Sequence, residues 1–141
     1  MPGIYQNFGS VKIIDDIKKL ISAANHESDI SKLIDMNVRL SGYLFYLQEE
    51  ETSAHKAYLD AYNERKYAEA SFIIKSDLAT NRAERQALIE TRELKQIETV
   101  SEVIYNDLKG KRYASSEFIG VLTQKIANLR REFELRSKQE A

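Results

Sequence analysis

The most constraining feature of this sequence is how rarely it contains a helix breaker. Proline occurs once, as Pro2, and glycine occurs five times in 141 residues. The 67 residues from 43 to 109 contain neither. As one uninterrupted helix at ~1.5 Å per residue, that stretch would be about 100 Å long. We therefore predict an all-α protein of long antiparallel helices, a helical hairpin or bundle, with a bend inside this stretch.

Apolar spacing is interpreted as a single helical domain over residues 1–141. Residues 1–10 are predicted to form an irregular arm, and Ser10 caps a short amphipathic helix over 11–24. Long helices follow over 29–138, with Ser28 or Asp29 as the cap of the first and breaks near 71–80 and 110–116. Residues 71–76, Ser-Phe-Ile-Ile-Lys-Ser, have a β-rich composition that leaves helix and strand both open.

The last third of the chain carries a heptad seam of apolar residues. Its members step by 3, 4, 3 and 4 positions, which is the spacing of a coiled coil. The pattern predicts an oligomer interface; packing within the chain, against the Leu40–Leu47 helix, is the alternative that two heptads leave open. The seam residues are Ile119, Leu122, Ile126, Leu129 and Phe133.

Composition argues against several kinds of chemistry. Without cysteine there is no disulfide, thiol nucleophile or cysteine-ligated metal. The two histidines, His26 and His55, are 29 positions apart, which does not suit a multi-histidine site. No glycine precedes Gly110-Lys-Arg112 at the spacing of a phosphate-binding loop. We expect no enzymatic activity, no cofactor and no metal.

No segment has the character of a leader or a membrane span. The first ten residues lack a basic region, and the apolar cluster Tyr43–Leu47 is far shorter than the ~20 residues that a membrane helix needs. We expect a cytoplasmic protein without a membrane partner.

Charge is distributed unevenly, although the formal net charge is only −1. Residues 1–51 carry 5 basic and 8 acidic side chains, and residues 109–138 carry 8 basic and 3 acidic ones. In the middle of the chain, basic residues are interleaved with tyrosines, which suits a single strand: phosphates attract cations, and unstacked bases pack on flat rings. The alternative is a solvated charged face beside core tyrosines. The candidate nucleic-acid-binding residues are Lys56, Tyr58, Tyr62, Arg65, Lys66 and Lys75.

A short central segment resembles a known family. Lys56-Ala-Tyr-Leu-Asp-Ala-Tyr62 is similar to the Lys-Ala-x-Leu-Asp-x-Tyr stretch of the phage UvsY-type recombination mediators, which are small helical proteins. Upstream, Asp29-Ile-Ser-Lys-Leu33 and Asn37-Val-Arg-Leu40 resemble family segments in the same order. The overlap covers about residues 29–62.

The resemblance implies a non-enzymatic protein that forms a ring-like homo-oligomer and binds single-stranded DNA. Its partners would be a RecA-like recombinase and the single-strand-binding protein that the recombinase displaces, in the host cytoplasm if the chain is phage-encoded. Lys56 matches a DNA-contacting lysine of the family, whereas Tyr58 stands where the family has an arginine. Arg65 and Lys66 restore positive charge two turns further on, and a tyrosine can stack on a base.

A rival hypothesis is a helical structural, assembly or adaptor protein, for example a component of a phage particle. It explains the same apolar periodicity, and its charges need only be solvated. A mediator differs because it binds a single-stranded oligonucleotide with a steep salt dependence.

Overall fold

The computed structural model describes the backbone of residues 8–140 and the side chains of residues 12–140. This range contains four helices and no strand, so the predicted all-α class is confirmed. The helices are α1 (Phe8–His26), α2 (Ile30–Lys75), α3 (Thr80–Glu90) and α4 (Arg92–Glu140). The described residues form two compact units. Unit 1 contains the residues up to Glu50 and from Lys109 onward, and unit 2 is Glu51–Leu108.

Unit 1 is a three-helix packing of α1, the first part of α2 and the last part of α4. Its core contains Ala24, Leu33, Leu122 and Ile126, surrounded by half-buried apolar side chains. Leu33, Leu40 and Leu47 are fully buried, and their seven-residue spacing places them on one side of α2.

Polar contacts also join the helices of unit 1. The Lys125 ammonium donates to the Ala24 carbonyl in the last turn of α1, at 2.9 Å. Such a cation offsets the partial negative charge of a helix C-terminus. The Asn37 amide donates to the Thr123 hydroxyl at 3.3 Å, which joins α2 to α4.

Unit 2 combines the second part of α2 with α3 and the first part of α4. Its buried apolar residues are mostly alanines, Ala61, Ala83 and Ala87, together with Leu108. Two cross-helix contacts, Arg65 to Glu98 and His55 to Tyr105, show that α2 and α4 run antiparallel here. The predicted antiparallel arrangement is therefore observed within this unit.

The first helix is longer than the sequence predicted. Residues 1–7 of the predicted arm lie outside the described residues, whereas 8–10 belong to α1, which ends at His26. The arm prediction is wrong for these three residues, because helix propagation adds a hydrogen bond per residue and one glycine costs only about 1 kcal/mol. At the next break, the Asp29 carboxylate caps α2 by accepting from the backbone N–H of Ser31 at 2.9 Å and Lys32 at 3.4 Å.

The two later breaks have different outcomes. A break occurs at 76–79, between α2 and α3, and residues 71–75 are helical. The break predicted at 110–116 is wrong, because α4 continues through it. The buried Ser115 hydroxyl donates to the Lys111 carbonyl at 2.8 Å, so its polar group is satisfied inside the helix. The cost of Gly110, about 1 kcal/mol, is small beside the packing of α4.

Candidate nucleic-acid interface

One side of α2 in unit 2 carries exposed basic, aromatic and polar residues and one exposed leucine. At about 100° per residue, these positions span an arc of roughly 120° on the side opposite buried Ala61. Within residues 52–74 of the described chain, no carboxylate lies inside this arc. We call this surface the lysine face, and it consists of Lys56, Leu59, Tyr62, Asn63 and Lys66.

The centre of the lysine face pairs a ring with a cation. The Lys66 ammonium lies 5.8 Å from the centroid of the Tyr62 ring, and Tyr62 is 37% exposed. Lys66 also lies 3.9 Å from the Glu69 carboxylate at the border of the face. Lys56 and Lys66 are about 15 Å apart along the helix axis at ~1.5 Å per residue. The face therefore offers two separated cations with a flat ring between their levels.

The predicted site residue Arg65 lies between α2 and α4, where the two helices pack in unit 2. Its Nε and Nη2 atoms donate to the two oxygens of Glu98, the second at 3.2 Å, and Nη1 donates to Glu69 at 2.9 Å. Both Arg65 and Glu98 are buried. The hydrogen bond from Arg65 holds the pKa of the Glu98 carboxyl below its ordinary value, and the same bond raises the pKa of Arg65. The Arg65 guanidinium therefore stabilises the packing of α2 against α4.

Tyr58 also turns away from the lysine face. It is half-buried, and its ring stacks with that of Tyr105 at a centroid distance of 6.4 Å. The His55 ring stacks on Tyr105 at 4.6 Å. Burial, followed by the neighbouring charge of Glu102, raises the pKa of the Tyr58 hydroxyl. The face of the Tyr58 ring that stacks with Tyr105 is thus occupied within the chain.

Lys75 is exposed in the last turn of α2 but is not part of the lysine face. It lies nine positions beyond Lys66, which rotates it by roughly half a turn around the helix axis. The structure therefore places Lys56, Tyr62 and Lys66 on one face and Tyr58 and Lys75 away from it. The paired Arg65 guanidinium borders this face, 5.5 Å from the centroid of the Tyr62 ring. Leu59 and Asn63 were missed as members of the face, although their spacing from Lys56 and Lys66 is visible in the sequence.

Part of the predicted oligomer interface is packed inside unit 1. Leu122 and Ile126 are core residues, which matches the alternative of packing inside the chain. Ile119 and Leu129 are half-buried, and Phe133 is 67% exposed. As an interface between chains the set stays a prediction, with Phe133 its most accessible member.

Comparison with family models, curated proteins and solved structures finds no match for this chain. In the described range, no group of three or more histidines, aspartates or glutamates is arranged to hold a metal ion. None of the described helices has a stretch long and apolar enough to cross a bilayer.

Proposed function

We propose that this chain is a non-enzymatic mediator of DNA recombination that binds single-stranded DNA and assists a RecA-like recombinase in displacing a single-strand-binding protein. The observation that supports it most is the lysine face. An arc with two lysines, an exposed tyrosine ring and no carboxylate inside it attracts a phosphate backbone, and the Glu69 carboxylate stands at its border. The resemblance of residues 56–62 to the UvsY-type mediators supports the same surface.

Self-association is part of this proposal. Two lysines and one ring make a weak site, because two lysines neutralise only about two phosphates of a strand. Several chains holding one strand together raise its effective concentration at each site. A homo-oligomer, for example a ring, thereby reaches an affinity that one chain cannot.

The strand-binding test removes both lysines of the face. We expect Lys56→Ala with Lys66→Ala to weaken binding of a fluorescent oligothymidylate and to flatten its salt slope. The matched control, Lys12→Ala with Lys138→Ala, removes the same charge from exposed positions in unit 1. Titrations at two salt concentrations measure both quantities. An equal loss in the two double variants would reject the lysine face as the binding surface.

The mediator step is tested separately, on a single strand already covered by a single-strand-binding protein. We expect the parent chain to shorten the lag before a RecA-like recombinase assembles on that strand, because a competing strand binder loosens the covering protein. The lysine double variant should leave the lag unchanged. If the parent chain binds the strand but does not shorten the lag, the strand-binding proposal stands and the mediator role is refuted.

An adaptor or assembly protein is the second candidate, and one observation favours it. Large aliphatic side chains are exposed on α3 and α4 of unit 2, including Leu88, Ile89 and Val103. Exposed apolar surface of this kind commonly marks a protein contact. Absence of strand binding by the parent chain at low salt would favour this candidate.

A further inference from the structure

The distribution of side chains on α3 and the first part of α4 is inverted. Apart from Leu108, the buried residues of this region are small or polar: Ala83, Ala87, Thr91 and Glu98, with Glu98 only 2% exposed. Large aliphatic residues face solvent instead. They are Leu88, Ile89, Ile97, Val100 and Val103. A helix that buries alanine and glutamate while exposing isoleucine and valine has a second apolar face for a partner.

The exposed face is continuous from α3 into α4. The Thr91 N–H donates to the Ala87 carbonyl at 3.0 Å, and the Lys95 N–H donates to the Thr91 carbonyl at 2.9 Å. Helical hydrogen bonding therefore bridges the one-residue junction between the helices. At about 100° per residue, seven exposed positions line up opposite the buried side. We call this surface the α3–α4 stripe: Arg85, Ile89, Arg92, Gln96, Val100, Val103 and Asp107.

The spacing of the α3–α4 stripe is symmetric about Gln96. The other members lie 4, 7 and 11 positions from Gln96 on both sides. When two copies of the stripe cross antiparallel at Gln96, Ile89 lies opposite Val103, and Arg85 lies opposite Asp107. The antiparallel pair therefore contains two contacts between Arg85 of one copy and Asp107 of the other. A parallel pairing would place Arg85 against Arg85 and Asp107 against Asp107.

We propose that the α3–α4 stripe is the contact surface for a second copy of this chain, in an antiparallel pair with Gln96 on the two-fold axis. Charge complementarity selects this occupant, because the stripe has Arg85 at one end and Asp107 at the other, with the apolar side chains of Ile89, Val100 and Val103 between them. The two Gln96 amides complement each other, since each amide both donates and accepts. The Arg92 stem covers Val100 of the second copy while its guanidinium stays in water.

This pair rests on the self-association within the proposed function, but it uses none of the residues of the lysine face. Its tests measure mass and cross-linking without nucleic acid, so a failure of pairing and a failure of strand binding give different results.

Sedimentation equilibrium tests the charge pairing. We expect Arg85→Asp and Asp107→Arg each to weaken the pair roughly tenfold, because two like-charge contacts replace two attractive ones. The double exchange restores the pair, since the ends are then complementary again. Circular dichroism checks that each variant is helical.

A second variant tests the apolar part of the stripe by sedimentation equilibrium. Val103→Glu should abolish the pair, and Val38→Glu, at an equally exposed valine of unit 1, should not. Unchanged mass in Val103→Glu would overturn the proposal.

Cross-linking tests the two-fold axis, and the natural absence of cysteine makes it clean. Helix axes 8–10 Å apart bring facing Cα atoms to about 4–5 Å, close to the range that a disulfide spans. We expect Gln96→Cys to form a covalent dimer under mild oxidation at low protein concentration. Gln124→Cys, an exposed glutamine of α4 in unit 1, is the control. Equal cross-linking of both variants, or none at Gln96→Cys, would contradict the axis.

Discussion

The two units of this chain solve the same packing problem with different residues. Unit 1 buries leucines and isoleucines such as Leu33, Leu40 and Ile126, and each contributes a large apolar area. Unit 2 buries alanines and the Arg65–Glu98 ion pair. Because a buried ion pair loses most of its attraction to desolvation, it defines a geometry more than it adds stability. The comparison indicates that apolar burial stabilises unit 1, whereas polar matching aligns the helices of unit 2.

The largest expected effect comes from removing a leucine of unit 1. Leu40 is fully buried, so Leu40→Ala loses its transfer free energy and leaves a cavity. We expect the free energy of unfolding to fall by about 4 kcal/mol. Urea unfolding followed by circular dichroism measures it. Val38→Ala, two positions away and 66% exposed, should change it by less than about 0.5 kcal/mol. Similar losses in the two variants would break the proposed role of apolar burial.

Removing one partner of the ion pair should have the next largest effect. Glu98→Ala leaves the Arg65 guanidinium buried, with Glu69 as its remaining carboxylate partner. We expect a loss of roughly 3 kcal/mol. Replacing both partners, as Arg65→Leu with Glu98→Leu, should cost much less, because no buried charge then stays unpaired. A double variant as unstable as Glu98→Ala would contradict the role of polar matching.

Lowering the pH tests the same Arg65–Glu98 ion pair by protonating the Glu98 carboxylate. The pKa of Glu98 is lower in the folded chain than in an unfolded one, so the folded state favours the ionised carboxylate. This contribution is fully present above the unfolded pKa of about 4.3 and is lost as the pH falls through the folded value. The stability difference between the parent and Glu98→Gln should therefore shrink below about pH 4. A difference that stays constant to pH 2 would argue against the bridge.

The smallest expected effect concerns the start of α2. Asp29→Ala removes the carboxylate that accepts from the Ser31 and Lys32 amides, so we expect a loss of about 1 kcal/mol. Asp29→Asn retains an acceptor oxygen and serves as the control. Hydrogen exchange should place the loss in the first turn of α2, and an effect spread evenly over unit 2 would be inconsistent with a local cap.

The sequence predicted the helical class well because helix breakers and apolar spacing report directly on local structure. It predicted the break at 110–116 wrongly, because the weak local propensities of Gly110 and Ser115 are overridden by packing along α4. Helix existence was thus easier to predict than helix ends.

Site prediction was weaker for a different reason. Charge and aromatic content mark which residues suit a nucleic acid, but not the side of the helix on which they lie. Steps of seven residues from Leu44 reach Tyr58 and then Arg65. This spacing places Tyr58 and Arg65 on the side of α2 that faces α4. That periodicity was available, whereas the partner of Arg65, Glu98 on another helix, depends on a tertiary register that no local pattern encodes.

The alanines of unit 2 restrict how its sequence can vary. A leucine site in unit 1 accepts methionine or isoleucine with modest repacking, since the volume is nearly kept. At Ala83 and Ala87, both 1% exposed, every larger side chain would have to push the neighbouring helix aside. Only glycine is smaller than alanine, and serine, with one added oxygen atom, is the smallest of the larger residues. A saturation library should therefore tolerate far fewer amino acids at these two alanines than at Leu33 or Leu40, even though a leucine is the more costly residue to truncate.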